Sequence, residues 1–135
     1  MKAGFLQPLL GNGAGRYRIE NGRNGQVVAE RLTTAFDSAS RRKGLLKQDS
    51  MPEGSALIIA PSNAVHTFFM RFPIDVVFFS KSGVVRKVCP AVPAWRMAAS
   101  LRAFALLEMP VGSIARANLK EGDQLVLKAT DAVPG

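Results

Sequence analysis

The sequence is poor in the residues from which most catalytic and metal sites are built. Its 135 residues contain one cysteine, Cys89, one histidine, His66, one tryptophan, Trp95, and one tyrosine. A single cysteine excludes an internal disulfide, and one cysteine with one histidine cannot supply the clustered ligands of a zinc site. No metal and no cofactor is therefore expected. Long hydrophobic runs are also missing. The densest apolar stretch, Val65–Phe79, is interrupted by Arg71 and Asp75, and it falls short of the roughly 20 residues a helix needs to cross a bilayer. A membrane partner is not expected. Near the N-terminus, Gly4, Gln7 and Pro8 break what would have to be the apolar core of a secretory signal, so the expected compartment is the cytoplasm.

Acidic residues are outnumbered, 10 Asp and Glu against 18 Lys and Arg, for a formal net charge of +8. The excess is uneven: nine basic residues face three acidic ones up to Lys47, and nine face seven from Gln48 onward. A basic N-terminal third invites a polyanion. The usual companions of nucleic-acid recognition are absent, with no aromatic-rich strand motif, no GXXG loop between helices and no paired C-x-x-C. A nucleic-acid partner stays open without being favoured, since a scattered positive surface that confers solubility is the simpler reading.

What is present is a globular pattern, 47% hydrophobic and 21% charged, of the size of one ordinary domain. The expected division is a loose N-terminal arm over 1–15, a single domain over 16–130 and a tail over 131–135. Val65–Phe79 organises the domain and reads as two strands joined at Pro73, which cannot donate to a central ladder. The first is Phe68–Met70. The second, Ile74–Ser80, places Ile74, Val76 and Phe78 on one face and Val77 and Phe79 on the other, so it should be covered on both sides as a core strand.

Around it, Arg16–Glu20 and Gln26–Arg31 alternate as strands about two Asn-Gly dipeptides, a hairpin signal. Leu32, Ala35, Phe36 and Ala39 recur at the spacing of one helical face, with a capping box at Thr34 and Asp37, which predicts the main helix over Ala35–Lys43. Gly44 should end it, and Arg41, Arg42 and Lys43 in its last turn suit the helix dipole. Ala56–Ala60 is a short strand. Lys81-Ser82-Gly83 should form a hairpin loop with Gly83 in the left-handed position, leading into a return strand, Val84–Cys89, stopped by Pro90. That register sets Asp75 opposite Cys89 and Phe78 opposite Arg86, and the exposed edge could pair with another copy. Arg102–Met109 is a further strand, Ser113 caps a helical segment over Ile114–Leu119, and a turn at Gly122 leads into Gln124–Lys128. Many short strands with one main helix predict a mainly β, α+β domain, a compact β-barrel or sandwich with the helix packed on it.

In order, Arg42-Lys43-Gly44-Leu45-Leu46, Phe69-Met70 with Pro73-Ile74-Asp75-Val76-Val77-Phe78, Gly83-Val84-Val85, Leu107-Glu108-Met109-Pro110-Val111-Gly112 and Leu119-Lys120-Glu121-Gly122-Asp123 resemble the DUF192 family. The resemblance covers roughly Val28 to Leu127. It implies a small prokaryotic domain of unassigned biochemical function, with a compact β-barrel-like or sandwich fold and one main helix. The chain departs from the family pattern at Leu46, where Met is usual, at Arg71-Phe72, where an Asn-Thr pair is usual, and in lacking the secretory signal many relatives carry.

The candidate site residues are His66, Arg71, Asp75 and Trp95, polar or aromatic groups in or beside the core stretch. Asp75 in an apolar run must be paired or hydrogen-bonded, as a bridge to Arg41, Arg42 or Arg71 or as a turn acceptor; the alternative is a general base. His66 is a structural residue or an acid–base group. Cys89 is a weaker candidate nucleophile. Trp95 is either a core plug or an exposed platform. Glu121 and Asp123 lack a third acidic neighbour and make no metal site. Arg42, Gly44, Pro73, Gly83 and Gly122 are expected to be structural. The function these residues suggest is a non-catalytic module that binds a small molecule or a protein partner. The alternatives are a hydrolase or transferase using Asp75 and His66, and weak polyanion binding by the basic N-terminal third.

Overall fold

The computed structural model describes residues 4–46 and 48–130, with Arg42 through its backbone alone. The expected tail, Asp131–Gly135, and the structural role expected of the Arg42 side chain lie outside the described residues. In chain order the elements are β1 (Tyr17–Asn21), β2 (Val27–Ala29), β3 (Arg31–Ala35), α1 (Ser38–Lys43), β4 (Ser55–Ile59), β5 (Ala64–His66), β6 (Ile74–Phe79), β7 (Val85–Val92), β8 (Met97–Ala99), β9 (Ala105–Pro110), α2 (Ser113–Ala117) and β10 (Leu125–Ala129).

The strands form a five-stranded sheet in the order β3-β4-β9-β6-β7, a three-stranded sheet β10-β1-β2 and a two-stranded sheet β5-β8. None closes on itself, so of barrel and sandwich it is the sandwich-like, mainly β arrangement that forms. Strand β6 is buried along its whole length, and its two faces divide as their alternation dictates. Val77 and Phe79 join Ile19, Ala29, Leu107 and Leu125 in a core between the large sheet and the three-stranded one. Ile74, Val76 and Phe78 join Leu57, Ile59 and Leu106 on the opposite face, beneath Leu45 and Met70. Each fully buried aliphatic or aromatic side chain contributes roughly 1.5–3 kcal/mol relative to exposure, so both faces of β6 weigh in the stability of the fold. The second face has the thinner cover: Leu45, Leu46 and Met51 from the segment after α1, and loops around β5 and β8.

Four local expectations are corrected. The stretch Leu32–Ala35 belongs to β3, parallel to β4 in register Leu32↔Ala56 to Ala35↔Ile59, because β-branched Thr33 and Thr34 favour a strand over a helix. The helix therefore starts at Ser38, with Asp37 as its N-cap accepting from the Ser40 N–H at 2.8 Å. Phe68–Met70 is a turn, not a strand: the Thr67 hydroxyl donates to the Pro93 carbonyl at 2.6 Å and accepts from the Arg96 N–H at 2.9 Å, tying this loop to the one before β8. Strand β7 runs through Pro90 to Val92 because it is the sheet edge, where a missing N–H breaks no ladder. A register shift between Phe78 and Phe79 puts Val76 opposite Cys89 and Lys87 opposite Phe78, and a second, between Ile74 and Val76, puts Ile74 opposite Val92.

Residues 4–15 are not a loose arm. Leu6 and Leu9 are buried in the first core, and the Phe5 ring meets Phe79 edge-on at 5.5 Å. Gly83 serves that contact as well as its hairpin. Its φ is +87°, and a Cβ there would stand 2.7 Å from Phe5 Cδ1, so both conformation and space require glycine.

Candidate functional site

On the second face of the large sheet, between the end of α1 and the β5-β8 pair, lies a groove of about 640 Å³. Its walls are mostly apolar, with Leu45, Leu46, Ile59, Val65 and Met70 among them, and Arg41, Lys43, Ser62 and His66 also line it. The acid lining it is Glu108. This residue pairs with Leu57 of β4 on one side and Val76 of β6 on the other, and it is only 3% exposed. Its Oε1 is buried with no hydrogen-bond partner among the described residues. Loss of water pushes its pKa from the ordinary 4.5 up to about 7, since burial disfavours the charged form. The close approach of the α1 terminus is made by Gly44, the C-cap, whose φ is +45° and whose absent Cβ would lie 3.9 Å from Glu108 Oε1. A buried acceptor without a donor, facing a groove, is an open position for a ligand's N–H or O–H.

The four expected site residues do not converge. Asp75 is 1% exposed, and its carboxylate is fully engaged with backbone. Oδ1 accepts from the Ala91 N–H at 2.8 Å, and Oδ2 accepts from the Gly112 and Ile114 N–H groups at 3.1 and 2.9 Å. It is thus the turn-stabilising acceptor of the two structural readings, with no arginine bridge among the described residues, and its oxygens are taken up by backbone rather than free to pair with His66 as a base. Arg71 points to solvent in an ion pair with Asp49 at 2.8 Å, a kind of contact worth little. His66 sits on the groove wall, exposed, with Nδ1 accepting weakly from the Phe68 N–H at 3.3 Å. The acid that shares the groove with it is Glu108.

Trp95 is no core plug. It is 56% exposed and stacks on Phe68 at 5.7 Å, while Phe69 meets it edge-on at 4.6 Å. Phe69, itself 70% exposed, carries this aromatic cluster to the groove wall. Both residues have left-handed backbone, φ +67° at Phe69 and +65° at Trp95, an unfavourable conformation for a side chain of that size and one that gathers at functional sites. Cys89 is half-buried and burial raises its thiol pKa, which lowers its value as a nucleophile. Asp123 is held by Arg23 at 2.7 Å, and among the described residues no three His, Cys, Asp or Glu side chains gather in one cluster. No helix among them is long and apolar enough to cross a membrane.

The sequence model of DUF192, a family described as an uncharacterised ACR, matches residues 19–127. This chain belongs to the DUF192 family. Two solved structures resemble this DUF192 domain in fold. One is a protein of unknown function from Novosphingobium aromaticivorans, 20% identical, with a TM-score of 0.70 over 82% of each chain. The other is a candidate transcription regulator from Sinorhizobium meliloti, 18% identical, with a TM-score of 0.71 over 83% of this chain and 92% of that one. At those identities the likeness is one of fold. No curated protein matches the chain.

Within the DUF192 match, Glu108 is the groove residue that sequence reasoning passed over as a candidate. The signal that singled out Asp75, one carboxylate in an apolar run, is equally present at Ala105–Pro110. The aromatic wall yields a prediction of its own. Phe69→Gly should leave stability within about 1 kcal/mol, because relief of the left-handed backbone offsets the added freedom of the unfolded chain. Urea denaturation checks this, and a loss above about 2 kcal/mol would show that the Phe69 ring is a packing element after all.

Proposed function

We propose that this DUF192 protein is a small binding module whose ligand seats in the groove above Glu108. The observation that carries the reading is the Glu108 Oε1, buried at the groove without a partner among the described residues. Leaving such an acceptor unpaired costs about 1–3 kcal/mol, a burden that a bound donor removes. Apolar walls with few polar groups are the usual make-up of a small-molecule site. The exposed, conformationally strained Phe69 adds a ring that a ligand can cover. The hydrolase or transferase alternative loses its base, since the Asp75 oxygens are taken by three backbone donors.

The test is amide-resolved NMR of the full chain titrated with a fragment library. Binding fragments should shift resonances of residues 43–46, 64–70 and 107–109, and Glu108→Gln should abolish those shifts. Shifts confined to the smaller apolar cavity of about 270 Å³ between Leu6, Leu10, Phe36 and Phe104 would overturn the assignment.

A further inference from the structure

We infer that the groove takes the ammonium group of a zwitterion, a free amino acid or a short apolar peptide held by its N-terminus; the inference rests on the binding-module reading above. The groove has a polarity that selects for this chemistry. Among the described lining residues, its acid is Glu108, with a buried and unpartnered Oε1, while Arg41 and Lys43 of α1 carry positive charge. Arg41 is committed to the fold, donating to the Phe36 carbonyl at 2.8 Å and the Ser38 hydroxyl at 3.3 Å. Lys43 is exposed and has no ion pair among the described residues.

A purely anionic ligand would meet Glu108, and a simple amine would meet the cationic residues. A neutral ligand would use neither charge. A zwitterion satisfies both, with its ammonium on Glu108 and its carboxylate toward Lys43. An ammonium also neutralises the desolvated carboxylate as well as donating to it, which makes the bond stronger than one from a neutral donor. The Phe69 ring on the wall adds attraction for a cation, and Leu45, Val65 and Met70 offer apolar surface to the side chains of the ligand.

The experiment is calorimetric titration of the full chain with leucyl-leucine, N-acetyl-leucyl-leucine and leucyl-leucinamide, alongside glucose and guanosine monophosphate. Leucyl-leucine should bind. Acetylation removes the charge that faces a buried partner and should weaken binding at least ~30-fold. Amidation removes the charge at the open rim and should weaken it only about 3-fold. Glu108→Gln should abolish binding. Lys43→Glu, a change on an exposed side chain that leaves the core intact, should weaken leucyl-leucine and spare leucyl-leucinamide. No binding of leucyl-leucine, or binding that acetylation leaves unchanged, overturns the inference. If glucose or guanosine monophosphate then shifts the amides around Glu108 and His66, the groove remains a binding site for another chemistry; if neither does, the binding-module reading falls with it.

Discussion

Asp75→Ala should lower the free energy of unfolding by about 4 kcal/mol, a large share of what holds a domain of this size together. The reason is the number of donors the carboxylate serves. The N-cap of helix α2 is Gly112, which has no side chain to cap it, and the Gly112 and Ile114 N–H groups are instead satisfied from β6 by Asp75 Oδ2. Oδ1 meanwhile takes the Ala91 N–H, at the point where the β6-β7 register shifts and Ala91 adopts φ +51°. Alanine would strand three N–H groups, at about 1–3 kcal/mol for each one left buried. It would also remove the negative charge favoured at a helix N-terminus. Asp75→Asn keeps one acceptor oxygen and should cost about half as much. Urea denaturation measures both, and amide exchange at Ala91, Gly112 and Ile114 should accelerate in parallel. A loss below about 1 kcal/mol for alanine would mean that water enters and replaces the carboxylate.

Asp75 also shows where sequence reasoning reaches its limit. Its burial was legible, because a carboxylate in Ile74–Phe79 sits between residues that must face two cores. Its partners were not, because Ala91, Gly112 and Ile114 come from two other segments and offer only backbone, which carries no signature in the sequence. The same division runs through the fold. The two-faced character of β6 and the hairpin at Gly83 follow from residues adjacent in the chain. The parallel pairing of β3 with β4 is non-local, and the spacing of Leu32, Ala35, Phe36 and Ala39 fits a helix as well as it does until Thr33 and Thr34 are weighed. Pro90 stops a strand only if that strand is interior, and the sheet order that puts β7 at the edge is set by contacts far away in sequence. The turn at Phe68–Met70 depends on Thr67, whose hydroxyl partners lie 26 and 29 residues further on. For the site, His66 and Trp95 were visible as rare residue types. Glu108 was hidden among ordinary glutamates, and what sets it apart is the groove that the β5-β8 pair and the end of α1 leave over it.

The burial of Glu108 should appear as a pH dependence of stability that no other change mimics. Below its ordinary pKa of 4.5 the side chain is protonated whether the chain is folded or unfolded, and it contributes no pH term. Between 4.5 and about 7 the unfolded chain releases the proton while the folded protein keeps it. The folded state then binds more protons than the unfolded one, so stability falls as pH rises, by ~1.4 kcal/mol for each pH unit. Above about 7 both states are ionised and the loss levels off, at roughly 3 kcal/mol in all. The stability present below pH 4.5 is thus progressively lost on the way to neutrality. Glu108→Gln has no proton to release, so subtracting its profile from that of the natural chain isolates the contribution of this one group. The difference curve, from urea denaturation at intervals between pH 4 and 8, should drop through this window; Arg41, Lys43 and His66 line the same groove and are unchanged in both proteins. A flat difference would mean that Glu108 is solvated or paired, and the binding proposal would then lose the observation that carries it. A ligand that donates to Glu108 and holds it ionised should flatten the natural curve by the same logic, because the folded protein would then release its proton nearer to pH 4.5. The slope is accordingly a readout of occupancy as well as of burial, and it can be followed with any ligand that the groove accepts.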